Sequence, residues 1–289
     1  MRSALVFGGS GQIGLPLLAH LLQAGWQVHA VSRSSHESQP GLHWLDGEFG
    51  RAMALPDRVD AIFSLGPLDR FAQWYAQEQV SSPRVVAFGS TSLETKQASV
   101  DDYERDLAAR LEAAEAEVFR HAAARGAHAT LLRPTLIYGG GHDKTLTRIA
   151  SMAQRTGFFV LPSGAAGLRQ PVHVVDLADA ALAVIDRPAT YGRHYALPGG
   201  ETLPYRQMVK RTLGALQPPA RLIEVPSPLF RTLLWAARRS GRMQGLSDAA
   251  VMRMREDMVF DATPARDDFG YSPRPFQPDP AALGLQARA

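Results

Sequence analysis

Three glycines spaced three residues apart, Gly8, Gly11 and Gly14, constrain the fold of this chain more than any other sequence feature. The apolar residues 4–7 before them have the composition of a buried strand, and residues 15–22 carry apolar side chains at helical spacing. A strand, a tight turn and a helix in this order let the backbone approach a pyrophosphate, which the helix N-terminus binds through free N–H groups. The segment therefore predicts a dinucleotide-binding turn; a glycine-rich turn of another α/β protein is the alternative.

The end of the second predicted strand indicates which dinucleotide binds. In an NAD-binding protein of this kind an acid stands there, about 20 residues after the glycines, and binds the ribose 2′-hydroxyl. Here the strand over residues 26–31 is followed by Ser32 and Arg33, and an arginine among hydroxyls suits a 2′-phosphate. We therefore expect NADP in preference to NAD; a plain surface role for Arg33 is the alternative. The predicted cofactor contacts are Gly8, Ser10, Gly11, Gln12, Ile13, Gly14, Ser32, Arg33, Asp46 and Gly66.

Length and composition favour one large α/β domain with a substrate-binding lobe, or two small domains, because the chain has 289 residues of which 45% are hydrophobic. There is no cysteine, which excludes disulfides and thiolate metal sites, and no His, Asp or Glu cluster has metal spacing. The chain enters a predicted core strand without a segment like a signal peptide, and no apolar run reaches the ~20 residues of a spanning helix. We expect a cytoplasmic protein with no metal site and no membrane span.

Predicted strands and helices alternate along the first 140 residues, which predicts a Rossmann-type α/β fold: a doubly wound parallel sheet with helices on both faces. After residue 140 the pattern loosens. We expect residues 1–140 to form the dinucleotide-binding core and residues 141–289 mainly a smaller C-terminal substrate lobe, with 171–197 returning to the core sheet. Five prolines between Pro264 and Pro280 predict an extended tail over the surface.

Four motifs in a fixed order carry a family resemblance. They are the glycine turn, Gly-Ser-Thr-Ser at 89–92, Leu-Leu-Arg-Pro-Thr-Leu-Ile-Tyr-Gly at 131–139 and Val-His-Val-Val-Asp-Leu-Ala-Asp-Ala at 172–180. With them the chain resembles the extended short-chain dehydrogenase/reductase superfamily, in the NAD-dependent epimerase/dehydratase branch that acts on nucleotide sugars. The resemblance covers nearly the whole chain. It also implies a homodimer, since helices beside the fifth and sixth strands often pair in that family.

The resemblance assigns roles to residues outside the glycine turn. It implies that Ser90 orients a substrate oxygen, with Thr91 beside it as a substrate contact; a serine that merely ends a strand is the alternative. It places Pro134 and Thr135 at the nicotinamide. It implies that Arg169 binds a substrate diphosphate through its guanidinium fork, with a surface salt bridge as the alternative.

The catalytic Tyr-x-x-x-Lys pair of that superfamily is missing. In the family these two residues transfer the proton and hold the nicotinamide ribose, and their positions fall on Leu107 and Leu111. Leucine cannot transfer a proton, and Tyr103 lies one helical turn too early. No lysine occurs between Lys96 and Lys144, so only Lys96 could reach the site, from a loop. The chain therefore resembles the atypical short-chain dehydrogenases, which keep the fold and have lost or relocated the active site.

Two classes of function follow. The first is an NAD(P)-dependent oxidoreductase or epimerase-like enzyme for a small polar or nucleotide-linked substrate, with its proton from water, substrate or another residue. The second is a non-catalytic NADP-binding protein, a redox sensor or a stabilising subunit. The net charge of +3 and the late arginines leave nucleic acid open, but basic and apolar residues alternate at helical spacing, which is typical of a solvated helix face. For the predicted helix over 228–241 we expect core packing or a lid rather than a membrane surface.

Overall fold

The structure, a computed structural model, describes residues 1–143, 145–239 and 248–285. The strands are β1 (Ser3–Phe7), β2 (Gln27–Ser32), β3 (Leu42–Asp46), β4 (Ala61–Ser64), β5 (Arg84–Phe88), β6 (His128–Pro134), β7 (Ile137–Tyr138), β8 (Phe158–Pro162), β9 (Leu168–Arg169), β10 (Val172–His173), β11 (Arg193–Leu197), β12 (Leu203–Pro204) and β13 (Arg221–Val225). The helices are α1 (Gly14–Gln23), α2 (Leu68–Gln77), α3 (Ser92–Lys96), α4 (Asp102–Ala124), α5 (Leu146–Thr156), α6 (Val174–Ala183), α7 (Tyr205–Gly214), α8 (Ser227–Arg239), α9 (Asp248–Arg253) and α10 (Thr263–Phe269).

The chain divides into two compact units. Unit 1 consists of residues 1–135, 172–198 and 261–273, and unit 2 of residues 136–171, 199–260 and 274–289.

A seven-stranded parallel sheet organises unit 1, in the order β11-β6-β5-β4-β1-β2-β3. The order reverses at β1: the chain first moves outward to β2 and β3 and then crosses to β4 on the other side of β1. In sheets of this kind, ligands bind at the carboxyl ends of the strands where the order reverses. The predicted Rossmann-type doubly wound sheet is therefore confirmed, and the glycine turn stands at its reversal point.

Helices cover both faces of this sheet because alternate residues of β1 face opposite ways. Leu5 and Phe7 pack into a buried cluster with α2 and α4. On the other face a side chain at Gly9 would meet Leu18 of α1, and α1 packs against α6. The central strands β1, β4 and β5 are buried along nearly their whole length and are mainly apolar, as strands covered on both faces must be.

Unit 2 has its own apolar core. Helices α5 and α7 pack together, with two-stranded pairings of β8 with β13 (parallel) and of β9 with β12 (antiparallel). The rings of Tyr138 and Phe276 meet edge to face at 4.9 Å in this core, where both side chains are fully buried. The sequence also predicts a strand over 221–225 and a helix over 145–156, in close agreement with β13 and α5.

The proline-rich tail differs from its prediction. It is not simply extended: α10 begins with Pro264 in its first turn, where a missing N–H costs no hydrogen bond. Phe269 packs edge to face on Tyr195 at 5.2 Å, and the Tyr271 hydroxyl donates to the Pro198 carbonyl at 2.8 Å. These aromatic side chains are buried, so residues 261–273 belong to unit 1, contrary to the predicted division at residue 140.

The expected helix over 228–241 corresponds to α8. The sequence also predicts a helix over 247–258, of which α9 covers residues 248–253. Residues 240–247, with Arg242, lie outside the described residues, as does Lys144. No helix in the described ranges is long and apolar enough to cross a membrane.

Candidate functional site

The glycine turn closes tightly on itself. Gly8 has a φ of +80°, which favours glycine, and the Gly11 amide donates to the Gly8 carbonyl oxygen at 3.0 Å. A Cβ atom on Gly14 would lie 2.2 Å from that same carbonyl oxygen and 2.4 Å from the Gly9 oxygen. The first turn of α1 therefore rests directly on the backbone of the turn, and only glycine at position 14 permits this approach.

The N-terminus of α1 leaves donors without partners. Its N-cap residue, Ile13, supplies no side-chain cap, and its first turn contains no acid. Within the described part of the chain, the amides of Gln12 and Ile13 have no backbone acceptor. One acceptor, the Oε1 atom of Gln12, is also buried without a hydrogen-bond partner among the described residues. Free amides at the positive end of a helix fit a phosphate, so the turn suits the pyrophosphate of a dinucleotide.

A cleft of about 430 Å³ opens over this turn, within the size range of cofactor sites. Six predicted contacts line it: Gly8, Ser10, Gly11, Ser32, Arg33 and Gly66. The lining also includes Gly47, Glu48, Phe49, Pro67 and Arg70, which were not predicted. The ends of β1, β2, β3 and β4 thus meet in one place, as their order in the sheet requires.

The remaining predicted cofactor contacts do not line the cleft. The side chain of Ile13 is buried and Gly14 packs on the turn, so Gln12, Ile13 and Gly14 present only the start of α1 to a ligand. Asp46 is exposed outside the cleft. The hydrogen-bond ladder between β2 and β3 continues one residue past Asp46, since the Gly47 amide donates to the Ser32 carbonyl at 3.0 Å. Gly47 and the two residues after it line the cleft.

The loop after β2 is held by its own side chains. The Ser32 hydroxyl lies 3.0 Å from Nε2 of His36 and accepts the Ser34 amide N–H at 3.1 Å. The His36 ring stacks on Trp44 with centroids 4.2 Å apart. Ser32 is therefore occupied within the loop, whereas the exposed Arg33 carries no hydrogen bond or ion pair to any described residue and faces the cleft.

Ser90 stands in a turn between β5 and α3. Its hydroxyl oxygen accepts the Ser92 amide N–H at 3.1 Å, which leaves its own hydrogen available to a ligand. Thr91 is buried, and both its amide and its hydroxyl donate to the Pro134 carbonyl, at 3.3 and 3.1 Å. Thr91 and Pro134 thus bind each other, so the structure gives Thr91 a structural role in place of the predicted substrate contact.

A buried ion pair lies beneath this turn. Arg133 of β6 binds both carboxylate oxygens of Glu115 on α4, and its Nε–Oε1 distance is 2.8 Å. It also reaches Glu94 of α3 at 3.0 Å. Burial alone lowers the pKa of Arg133, but hydrogen bonds and charges of the two glutamates outweigh it and raise the pKa overall. A Cβ on Gly89 would lie 2.8 Å from Glu115 Oε1, so the pair sits directly against the turn that carries Ser90.

Leu107 and Leu111, the positions that the resemblance assigns to the catalytic pair, both lie on helix α4. Leu107 and Leu111 are half-buried, and Leu111 packs on the core of unit 1. Lys96 does not replace them: its Nζ atom lies 3.7 Å from Glu104 Oε1, and that carboxylate also accepts the Ser99 hydroxyl at 2.7 Å. The lysine charge is therefore used between α3 and α4.

Arg169, in unit 2, also has internal partners. Its guanidinium donates to the carbonyls of Leu168 (2.8 Å), Glu256 (2.7 Å) and Arg253, and lies over the Tyr205 ring. Burial lowers its pKa. The side chain is buried, so we assign it a structural role and no longer expect the diphosphate contact. In unit 1, Nδ1 of His173 accepts the Val175 amide at 3.2 Å and caps α6, as a structural histidine would. No cluster of three metal-ligating side chains occurs among the described residues.

Comparison with known sequences gives a matching family model and several relatives. The sequence model of the NAD dependent epimerase/dehydratase family matches residues 4–81 and 84–197. The chain is 26% identical to the 2-alkyl-3-oxoalkanoate reductase of Stenotrophomonas maltophilia, over 93% of this chain and 94% of that protein. It is also 29% identical to the uncharacterized protein YbjS of Escherichia coli. That match covers 50% of this chain and 45% of the length of YbjS.

A solved structure shows the same fold. MoeE5 in complex with UDP-glucuronic acid and NAD superimposes with a TM-score of 0.69 and 18% identity, covering 98% of this chain and 97% of that one. The matched family model is that of NAD dependent epimerases and dehydratases, and the relative that aligns over nearly its whole length is a reductase.

Proposed function

Because the chain belongs to the NAD dependent epimerase/dehydratase family, we propose that it is an NADP-dependent oxidoreductase or epimerase-like enzyme for a small polar or nucleotide-linked substrate. The observation that carries this proposal is the cleft over the glycine turn, with Arg33 exposed in it and without a partner among the described residues. Where an NAD-specific protein has an acid after β2, this chain has a cation.

The chain's own residues divide the work of holding the cofactor. The free amides at the start of α1 bind the pyrophosphate, and Arg33 binds the 2′-phosphate through its guanidinium fork. NADPH, when bound, supplies a hydride. MoeE5 binds NAD, so the choice of NADP for this chain rests on Arg33 and not on that likeness.

Ser90 is the proposed catalytic side chain. Its hydroxyl oxygen accepts the Ser92 amide N–H, which leaves the hydroxyl hydrogen to bind a substrate oxygen. Such a donor stabilises negative charge that develops on a carbonyl oxygen as the hydride arrives. Leu107 and Leu111 can neither hold nor move a proton, so water, the substrate or another residue supplies it.

Turnover of NADPH tests this proposal. We would follow NADPH oxidation with a 2-alkyl-3-oxoalkanoate and a UDP-linked keto sugar as probe substrates, chosen from the chemistry of the relatives. We expect NADPH to bind and one probe to be reduced, and Ser90→Ala to lower that rate roughly 100-fold. Ser99→Ala, a change to another hydroxyl near α3, is the matched control and keeps the rate.

The apolar residues Leu107 and Leu111 favour one second candidate, a non-catalytic NADP-binding protein that senses redox state or stabilises a complex. NADPH binding without oxidation by either probe, and without any effect of Ser90→Ala, would support it. Failure to bind either dinucleotide would reject both candidates. The homodimer and the cytoplasmic location stay predictions; light scattering of the purified protein tests the first.

A further inference from the structure

The cofactor cleft contains a second arginine that no sequence motif indicated. Arg70 is the third residue of α2, which follows β4 directly, and it lines the same cleft as Arg33 on the loop after β2. Both side chains are exposed. Neither guanidinium forms a hydrogen bond or ion pair within the described ranges. Two unpaired cations from separate elements therefore face one cavity.

The acids near these two arginines are bound elsewhere. Asp69, beside Arg70, lies 3.5 Å from Arg110 of α4. Glu48 lines the cleft, and its carboxylate lies 2.9 Å from Nε of Arg51. Each of these carboxylates thus lies beside an arginine other than Arg33 and Arg70, although Arg110 also binds Asp106 at 2.9 Å. The positive charges of Arg33 and Arg70 are therefore left for a ligand.

The charge of the cofactor decides which ligand group needs them. The pyrophosphate common to NAD and NADP already has the glycine turn and the free amides of Gln12 and Ile13. A further phosphate monoester adds about −1.5 to −2 charges and three strong acceptor oxygens. Two guanidinium groups match such a dianion in charge and in donors, whereas NAD offers them only hydroxyls.

We propose that Arg70 binds the adenosine 2′-phosphate of NADP together with Arg33 and determines cofactor specificity as strongly as Arg33 does. This inference rests on the proposed function, because it requires that a dinucleotide binds over the glycine turn. The phosphate is held from two sides, by the loop after β2 and by the first turn of α2.

The test is a set of equilibrium titrations with NADP⁺, NAD⁺ and 2′,5′-ADP, a fragment that carries the 2′-phosphate without the nicotinamide half. The variants are Arg70→Ala, Arg33→Ala and, as a matched control, Arg58→Ala, an exposed arginine outside the cleft. Thermal unfolding of each variant checks that it is folded. We expect Arg70→Ala to weaken NADP⁺ and 2′,5′-ADP about tenfold each and NAD⁺ less than about twofold. Arg70→Lys, which keeps the charge and loses the fork, recovers part of the loss.

The possible outcomes separate this inference from the function on which it rests. An equal loss of NAD⁺ and NADP⁺ in Arg70→Ala would overturn it, because Arg70 would then contact a part that both share. Unchanged binding in Arg70→Ala with lost preference in Arg33→Ala would also overturn it and leave the proposed function standing. Equal affinity of the unmodified protein for NAD⁺ and NADP⁺ would reject the cofactor choice itself.

Discussion

Two stretches along the carboxyl edge of the same sheet treat their polar groups in opposite ways. Around β1, β2 and β4, the amides of Gln12 and Ile13 and the guanidinium groups of Arg33 and Arg70 have no described partner. Around β5 and β6, Arg133, Glu115 and Thr91 bind one another or the backbone. The first stretch is prepared for an anionic ligand, and the second uses its polar groups to hold its own structure.

This difference separates cofactor binding from chemistry. A ligand with phosphates completes the first stretch, since unpaired donors in a cleft gain their partners only on binding. In the second, the hydroxyl hydrogen of Ser90 is available to a substrate, while Leu111 packs on the core of unit 1. We therefore expect mutations in the two stretches to have different consequences, for binding in one and for stability in the other.

The glycine turn should show the largest effect, because there the two consequences coincide. In Gly14→Ala the new Cβ would lie 2.2 Å from the Gly8 carbonyl oxygen, so α1 must move off the turn. We expect the free energy of unfolding to fall by about 4 kcal/mol or more and dinucleotide binding to be lost, measured by urea unfolding and titration. Gly214→Ala, with no atom within 4 Å of its Cβ, is the control and changes stability by no more than about 1 kcal/mol. Equal stability of the two variants would refute the tight packing.

The ion pair beneath Ser90 should show the next largest effect. Glu115→Ala leaves the buried guanidinium of Arg133 with only the half-exposed Glu94, and we expect a loss of about 3 kcal/mol in urea unfolding. Glu94→Ala removes the outer partner of the same arginine and should cost less than about 1 kcal/mol. If both variants lost the same amount, the burial of the inner pair would not matter and the contrast between the two stretches would weaken.

The cleft arginines should contribute almost nothing to the stability of the ligand-free protein. We expect Arg33→Ala and Arg70→Ala to change the free energy of unfolding by less than about 0.5 kcal/mol, since their guanidinium groups have no described partners to lose. With NADP⁺ present, the same variants should lose stabilisation that the unmodified protein gains. A large loss without ligand would contradict the account of the cleft.

The smallest effect concerns acid. Burial and the charge of Arg133 lower the pKa of His194 on β11. As the pH falls below about 6.5, His194 therefore takes up a proton in the unfolded chain but stays neutral in the folded protein. The free energy of unfolding declines until the pH passes the pKa of folded His194. His194→Asn should make this decline shallower, by less than about 0.5 kcal/mol, because the His194 side chain is only partly buried and solvent screens its charge. Unfolding midpoints between pH 5 and 7 measure it; identical slopes in the two proteins would contradict a lowered pKa of folded His194.

Local patterns in the sequence predict the glycine turn, the sheet and the loop after β2, because each depends on neighbours along the chain. Gly8, Ser10, Gly11, Ser32, Arg33 and Gly66 accordingly reach one cleft. Residues that only tertiary structure brings together escaped prediction. Arg70 reaches the cleft because α2 follows β4, which lies beside β1 in the sheet, and no local pattern marks it. Glu115 has the sequence surroundings of a surface acid on a long helix, and only the position of Arg133 gives it a buried partner.

The failed predictions have the same cause. Arg169 and Thr91 have side chains that suit a ligand, and the sequence contains no hint that backbone carbonyls take their hydrogen bonds. The prolines of the tail suggested an extended segment, but Phe269 and Tyr271, which lie between two of these prolines in the sequence, bury their rings in unit 1. In each case a long-range partner decided a question that composition alone left open.

The central claim is that the cleft selects NADP through Arg33. Fluorescence titration of the unmodified protein and of Arg33→Asp with NADPH and NADH tests it most directly, with Arg58→Asp as the control for an added acid outside the cleft. We predict that the unmodified protein and Arg58→Asp bind NADPH at least about tenfold more tightly than NADH, and that Arg33→Asp loses or reverses this preference. Equal affinity for the two dinucleotides before and after the change at Arg33 would contradict the account.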